Sequence, residues 1–390
     1  MTVPTSARPA PAPGGQPAPR SMHLAVHVPA AGDTVVGADP RTGLPAGLPA
    51  DFTSYARLAR TAERGLFDFL LLSEELRLRE DGGSGHGADA AGRPEPVTAL
   101  NALAAVTGRL GLAASVGTRF IEPYELARGF ATLDHLSGGR AAWHVAHAAD
   151  PLAGENFRDD GSPDRSGPSA APFVRTAEFV AAAREVWDSW TPDGVSRPFA
   201  HRGRYFDIAG ESTVARSPQG HPVVIRSLDA TVDTAEDAAQ GTAGDREFAA
   251  AVADVVLVPH RTPAAGRVLH ADVKGRLAGY GRDHDDLKIL SRATFVLGDK
   301  IAEARERAAG AADPWSFVGT PESVAAGMDD FVRSGAADGF LLAPHPGPGG
   351  LDEFVDRVVP LLQERGAFRT RYTGATLRAH LGLPHPVWKG

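Results

Sequence analysis

Short apolar runs recur along this chain, each followed by a stretch long enough to form a helix. Examples are HLAVHV at 23–28, FDFLLLSEE at 67–75 and DVVLVP at 254–259. Apolar runs of this length are typical of parallel strands that are covered on both faces. The intervening FTSYARLARTAERG at 52–65 has helical spacing and ends at Gly65, a residue that favours helix C-termini. Eight such apolar strands with helical crossovers predict a (β/α)8 TIM barrel of the α/β class.

The remaining elements complete this pattern. Further strands are predicted at 109–118, at the start of 141–157, and at 221–227, 287–298 and 339–345. Further helices are predicted at 95–108, 123–139, 173–190, 320–335 and 351–366. An open doubly wound sheet is the alternative, but no Gly-x-Gly-x-x-Gly motif follows the first strand. Two insertions follow strand four: a loop-like segment at 149–172, expected over the carboxyl-terminal mouth, and 191–220, which contains a predicted hairpin, HRGRYFDIAG.

Amino-acid composition limits the partners, the covalent chemistry and the location that can be expected of this protein. A net charge of −8 without a basic block makes nucleic acids and anionic membranes poor partners. The absence of cysteine excludes disulfides and thiolate-bound metals. Since no apolar run reaches the roughly 18 residues of a membrane span and no secretory signal is recognisable, we expect a cytoplasmic protein. Residues 1–20 are rich in Pro, Ala and Gly and are predicted to be a disordered tail, with 21–390 as a single barrel domain.

Two histidines stand toward the carboxyl end of the fourth predicted strand, in AAWHVAHAADPLAGENF. Because side chains alternate along a strand, Trp143 and His144 point to opposite faces. If His144 faces the barrel axis, it lies near the mouth, where the sites of such barrels are built. His144 and His147 are three positions apart and face opposite ways, so no shared metal site is predicted.

Several long blocks of the sequence resemble the bacterial luciferase-like flavin monooxygenases, closest to the nitrilotriacetate and dibenzothiophene-sulfone monooxygenase branch. They are EPVTALNALAAVTGRLGLAASVGT, EPYELARGFATLDHLSGGRAAW, HRGRYFDIAG with RSPQGHPVVI, and FVGTPESVAAGMDDFVRSGAADGF. The resemblance extends over residues 22 to 383. It implies a (β/α)8 barrel that takes reduced FMN from a separate flavin reductase and uses O2 to oxygenate a small organic substrate. The cofactor would carry the chemistry, while the protein supplies orientation and a dry pocket.

The resemblance also indicates which side chains would contact the flavin. Glu74, at the end of strand two, stands where the group has an aspartate beside the flavin ring. Thr118, at the end of strand three, matches a threonine of the group. His144 replaces an asparagine and His147 a threonine. We therefore expect Glu74, Thr118, His144 and His147 at the cofactor, with Glu74 and His144 also as acid–base groups.

The sequence also departs from the group in several segments: GAADPWSF replaces a long helical excursion, and three further departures concern the expected flavin site. PAAGDTVVG replaces a Gly-His-His loop after strand one, and APFVRTAEF replaces the Tyr-Asp-Arg that opens helix four. After strand five, RSLDATVDTAEDAAQGTAGDREF replaces an Ala-Gly-Ser-Ser phosphate turn and is acidic. A phosphate favours backbone N–H groups at a helix N-terminus and is repelled by carboxylates. Two alternatives stay open for the phosphate: Arg226 with Ser227, or a turn QGTAG that contains Gly241 and Thr242.

These departures favour a second hypothesis, in which the chain is a flavin-free, non-catalytic barrel acting as a subunit or binding protein. A third hypothesis is a barrel that binds a deazaflavin, whose larger tail would need a cationic groove that is not obvious in the sequence. In each case the resemblance implies a homodimer, or a heterodimer with a paralogue.

Overall fold

The computed structural model describes residues 21–28, 51–74, 76, 94–146, 157, 172–228, 237–259, 262–308, 317–344 and 350–389. The predicted tail at 1–20 and most of the first insertion lie outside these residues. Within the described part of the chain, no helix is long and apolar enough to cross a membrane.

Eleven strands are present in the described residues. They are β1 (His23–Val28), β2 (Phe69–Leu72), β3 (Gly111–Gly117), β4 (Ala141–Ala146), β5 (Phe199–Arg202), β6 (Asp207–Gly210), β7 (Val223–Ser227), β8 (Val255–Pro259), β9 (Lys288–Leu297), β10 (Phe317–Gly319) and β11 (Gly339–Pro344). Strands β5 and β6 form the antiparallel hairpin predicted from HRGRYFDIAG.

The described helices follow the strands and cover the sheet. They are α1 (Phe52–Arg64), α2 (Pro96–Ala104), α3 (Pro123–Ser137), α4 (Pro172–Asp188), α5 (Asp237–Val252), α6 (Pro263–Arg276), α7 (Ile301–Ala308), α8 (Pro321–Arg333), α9 (Gly350–Arg357), α10 (Val359–Glu364) and α11 (Leu377–His380). The predicted helix at 351–366 is two helices, because Pro360 lacks the N–H that a continuous helix needs.

The main sheet closes into a barrel. Its parallel strands run in the order β9-β11-β1-β2-β3-β4-β7-β8, and pairing of β8 with β9 completes the ring. Strand β10 adds to the end of β9 outside the ring. The predicted (β/α)8 barrel is therefore confirmed, with the hairpin inserted after the fourth barrel strand.

The two faces of the barrel strands have different surroundings. Outward side chains such as Trp143 pack with the helices in the larger core cluster. Inward side chains form a separate apolar cluster, to which the carboxyl-terminal segment contributes Leu377, Leu381 and Leu383. These leucines therefore fill the amino-terminal end of the barrel.

Three aspartates stabilise the amino-terminal end of the barrel. Asp68, Asp254 and Asp338 each directly precede a barrel strand and accept a backbone N–H from the first residues of the neighbouring strand. Arg369 and Arg378, on the segment that closes this end, pair with Asp68 and Asp254. Burial alone would raise the pKa of Asp68, but Arg369 and His23 outweigh it and lower that pKa to about 2.

Candidate active site at the carboxyl end of the barrel

A tier of polar side chains lies directly above the apolar interior. Side chains alternate along a strand. The residue two positions after a strand's last member of the inward apolar cluster therefore also faces inward. Six of the eight strands place a polar residue there, and the other two place Pro259 and Ala343. We call these six residues the polar tier: His27, Ser73, Ser115, His144, Ser227 and Arg292. None of these eight positions carries a carboxylate.

His144 occupies the centre of this tier. Its Nδ1 lies 2.9 Å from Oγ of Ser115 on β3, and its Nε2 lies 2.7 Å from Oγ of Ser227 on β7. Both serines are 5% exposed, so the imidazole ring is held from both sides by buried hydroxyls. His27 makes a similar contact, with Nε2 at 2.9 Å from Oγ of Ser73. His144 therefore faces the barrel axis, which is the condition on which its expected place near the mouth depended.

Arg292 is the one permanently charged member of the polar tier. It projects inward from β9, and its Nη2 donates to Oγ of Ser227 at 2.5 Å. The hydroxyl of Ser227 on β7 thus connects Arg292 on β9 with His144 on β4, so this set of contacts involves three strands. The sequence analysis missed Arg292, although its position in LKILSRATFVLG, two residues after the inward Leu290, would have placed it on the inner face.

Glu74 lies at the rim, just after β2. Its Oε2 accepts the backbone N–H of Gly117 at 3.1 Å. Burial raises the pKa of Glu74 to about 7, an effect that Glu95 reinforces and the Gly117 hydrogen bond opposes. At neutral pH the carboxyl group is therefore divided between its protonated and ionised forms, as a proton-exchanging group requires.

The rim beside β3 is the cationic part of the mouth. Thr118 is buried, and its hydroxyl lies 3.5 Å from that of Thr176 on α4. Arg175 donates from Nη1 to the Thr118 carbonyl at 2.9 Å. Arg119 follows in the chain, and its buried Nε has no hydrogen-bond partner among the described residues. Two cations and two hydroxyls therefore meet at the end of this strand.

An aromatic pair stands at the same rim. The rings of Phe120 and Phe157 stack with their centroids 4.1 Å apart and their planes 6° apart. Phe157 belongs to the insertion that follows β4, so this residue of the insertion lies where β3 ends. The other residues of 149–172 lie outside the described part of the chain, except Pro172 at the start of α4.

The structure does not support Arg226 as a phosphate ligand. Arg226 faces outward from β7, in the layer between strand and helices, where its Nη2 lies 3.0 Å from Oδ1 of Asp245. Its Nη1 donates to the Val145 carbonyl, and its guanidinium lies over the rings of Phe173 and Phe248. Arg226 and Ser227 are consecutive on β7, so their side chains point to opposite faces of the strand. They cannot act together at one phosphate, contrary to the expectation from sequence.

The predicted QGTAG turn at 240–244 is wrong. Helix α5 begins at Asp237 and runs without interruption through these residues. The backbone N–H groups of Gly241 and Thr242 are therefore used by the helix itself, since only the first four N–H groups of a helix are available. Small residues were interpreted as a turn, whereas alanine and glutamine nearby favour helix. His147 lies outside the described residues.

The described residues contain no group of three His, Cys, Asp or Glu side chains that could hold a metal ion. Among the described residues, the mouth presents hydroxyls, imidazoles, an inward guanidinium and a carboxyl group whose pKa is near neutrality.

Comparison with known proteins identifies similar chains. Residues 22–317 match the family model described as luciferase-like monooxygenase. Nitrilotriacetate monooxygenase component A of Aminobacter aminovorans is 32% identical, over 86% of this chain and 91% of that protein. Dibenzothiophene-sulfone monooxygenase of Rhodococcus erythropolis is 30% identical, over 87% of this chain and 92% of that protein. In fold, the solved structure of EDTA monooxygenase from Chelativorans sp. BNC1 is similar, with a TM-score of 0.77, 23% identity, and coverage of 94% of this chain and 99% of that one.

Proposed function

This chain belongs to the luciferase-like monooxygenase family, and from that premise we propose that its barrel mouth binds reduced FMN and a small organic substrate. It is a flavin-dependent monooxygenase of the two-component type. A separate flavin reductase supplies the reduced cofactor, which provides the activation of O2 when bound. The non-catalytic hypothesis is not favoured, because the relatives that span most of the chain are named as monooxygenases.

The polar tier is the observation that carries this proposal. A flavin ring presents carbonyl oxygens and ring nitrogens along one edge, and these need donors and acceptors at fixed positions. Hydroxyls of Ser115 and Ser227 can serve either way, and the His144 ring between them is held in one plane by two hydrogen bonds. The apolar interior beneath this tier gives a floor from which water is excluded.

The protein's own acid–base group in this proposal is Glu74. Its pKa of about 7 lets it hold a proton at the rim and release it within the physiological range. Its Oε2 is oriented by the Gly117 N–H, so the other carboxyl oxygen is the one that can face substrate. His144 can exchange a proton with Ser115 or Ser227, which makes it the second group able to move a proton at this site.

We assign the FMN phosphate to the cationic rim rather than to Arg226. The buried Nε of Arg119 has no hydrogen-bond partner among the described residues, and a buried donor of this kind requires an acceptor. Thr118 and Thr176 add hydroxyls beside it. Phosphate oxygens are suited to such a combination of guanidinium and hydroxyl donors.

Anaerobic titrations followed by fluorescence test this function. We expect saturable binding of reduced FMN and weaker binding of reduced riboflavin, because riboflavin lacks the phosphate. In the Arg119→Gln variant, the difference in affinity between these two flavins should be smaller. Loss of one charge-assisted hydrogen bond corresponds to a factor of about ten in affinity. Arg267→Gln, an exposed arginine on α6, is the matched control. Equal affinities for the two flavins would contradict the phosphate assignment, and no binding of either would contradict the proposed function.

A further inference from the structure

The hairpin β5–β6 packs with its turn, residues 203–206, on one face of α4. Arg175 is three positions before Glu178 and four before Phe179, so these three side chains lie on the same face of the helix. All three contact the turn of the hairpin. Since Arg175 also belongs to the cationic rim, the hairpin and the rim are connected through one helix face.

Glu178 fixes the turn to the helix through its carboxylate. Its Oε1 accepts the N–H groups of Tyr205 at 2.7 Å and Phe206 at 2.8 Å, and its Oε2 accepts that of Arg204 at 3.0 Å. Desolvation alone would raise the pKa of Glu178, but these hydrogen bonds outweigh it and lower that pKa. A Cβ at Gly203 would overlap Oε1 of Glu178, so a larger residue there would displace the carboxylate from the turn.

Phe206 is the residue through which the turn reaches Arg175. Its ring is buried, and the guanidinium carbon of Arg175 lies 4.8 Å from the ring centroid. The ring of Phe179 meets the same ring edge-on, with centroids 5.4 Å apart and planes at 88°. The Phe206 ring is thus held by its own backbone and by a perpendicular neighbour, and it presents a fixed surface to the cation.

Arg175 extends this order to the mouth of the barrel. Its Nη1 donates to the Thr118 carbonyl at the end of β3, at 2.9 Å. An arginine side chain loses much rotamer freedom when it is immobilised on a ligand. A contact that immobilises the guanidinium beforehand lowers this cost, so the same charge binds an anion more tightly. The hairpin therefore pre-organises one of the two cations of the rim.

We propose that Phe206 is a positioning residue for the phosphate end of the cofactor, acting through Arg175. This inference rests on the proposed function, which assigns the FMN phosphate to the cationic rim. The ring contacts the guanidinium and not the phosphate, so its effect depends on the presence of both. Loss of the ring should weaken the binding of FMN more than that of riboflavin, whereas a general loss of packing would weaken both flavins alike.

The test measures the ratio of affinities for reduced FMN and reduced riboflavin by anaerobic fluorescence titration. Phe206→Leu, which removes the ring but keeps an apolar side chain, should lower this ratio by about three- to tenfold. Phe206→Tyr, which keeps the ring, should retain most of it. Because the ring acts through the guanidinium, adding Phe206→Leu to Arg175→Gln should leave the ratio of the single Arg175→Gln variant unchanged.

Controls separate positioning from stability. Phe354→Leu removes a buried ring on α9, a helix that packs on α1 and α10, and should leave the ratio unchanged. Circular dichroism and melting temperature establish that each variant is folded. If Phe206→Leu is not folded, Gly203→Ala, which disturbs the attachment of the turn to α4, decides by the same ratio.

The possible outcomes are distinct. A wild-type ratio in Phe206→Leu, an equal weakening of both flavins, or a further loss in the Arg175→Gln background would overturn the inference while the proposed function stands. Equal affinities of the wild type for the two flavins would overturn the inference together with the phosphate assignment. Failure of the wild type to bind reduced FMN would overturn the proposed function itself.

Discussion

At the scale of single residues, the functional character of the mouth depends on which face of a strand a side chain occupies. Ser227 faces inward and joins the polar tier, whereas the adjacent Arg226 faces outward and pairs with Asp245. Alternation along a strand made the inward position of His144 predictable from sequence. Arg292 was equally accessible to that reasoning and was missed because a single arginine in an apolar run gives no local signal of function.

Glu74 yields a residue-scale prediction about stability. Its folded-state pKa of about 7 lies above the ordinary glutamate value of 4.5, so the folded protein binds this proton more tightly than the unfolded chain does. The resulting stabilisation is complete below about pH 4.5 and is lost as pH rises through 7, by up to roughly 3 kcal/mol.

The Glu74→Gln variant, which cannot ionise, checks this sign. Urea unfolding between pH 5 and 8 should show the wild type losing stability relative to the variant as pH increases. Glu364→Gln, which changes an exposed residue at the end of α10, is the comparison variant. A wild-type stability that rises against Glu74→Gln over this range would mean that the carboxyl group is ionised and paired at neutral pH.

At the scale of elements, the strand and helix alternation could be predicted because each strand is covered on both faces and is therefore continuously apolar. The boundaries of α5 could not be predicted, because its first turns show no apolar periodicity and only Asp237 indicates where the helix starts.

Local packing also determines which residue near a helix end adopts an unusual backbone conformation. Gly65 ends α1 as predicted, but Leu66 takes the left-handed conformation, with φ of 60°. A Cβ on Gly65 would come within 2.6 Å of Val355, so close packing against α9 explains the glycine.

The carboxyl-terminal segment gives an element-scale prediction. Arg369 donates to the carbonyl of Leu66 through Nε and Nη2, and pairs with Asp68 at 2.9 Å. Its removal would leave a fully buried carboxylate without its main cation. Arg369→Met should therefore lower the free energy of unfolding by about 3–5 kcal/mol at pH 7.

Chemical denaturation measures this loss, with Arg371→Met, an exposed neighbour on the same segment, as the control. Because the pKa of Asp68 is lowered to about 2, the stabilisation from this pair is present above pH 4 and declines as the pH falls toward 2. The difference between wild type and Arg369→Met should shrink over that acid range. A loss below about 1 kcal/mol at pH 7 would indicate that the segment is dispensable for closing the barrel.

At the scale of the whole molecule, the barrel has one closed and one functional end. Leucines of the carboxyl-terminal segment fill the amino-terminal end, and ion-paired aspartates fasten it. The polar tier, the titrating Glu74 and the cationic rim lie together at the other end. The sequence predicted this polarity through the barrel fold, but not the composition of the tier, which becomes visible only when eight strands are aligned in register.

The central claim is that reduced flavin binds in this mouth, and Gly117 offers the most direct test. Gly117 faces inward two residues above Ser115, and among the described residues the nearest atom to a Cβ there would be Oε2 of Glu74 at 4.0 Å. A tryptophan at this position is therefore tolerated by the backbone and fills the space above the polar tier. Gly275, exposed on α6 with no neighbour within 4 Å of a Cβ, accepts the same change far from the mouth.

The decisive measurement is an anaerobic titration of wild type, Gly117→Trp and Gly275→Trp with reduced FMN. The melting temperatures of the three proteins must agree within about 4 °C, which is the shift that a loss of roughly 1 kcal/mol in stability produces. Wild type and Gly275→Trp should bind reduced FMN with equal affinity, and Gly117→Trp should lose at least about a hundredfold, equivalent to roughly 2.7 kcal/mol. Wild-type affinity in Gly117→Trp would contradict the account, because it would place the cofactor somewhere other than above the polar tier.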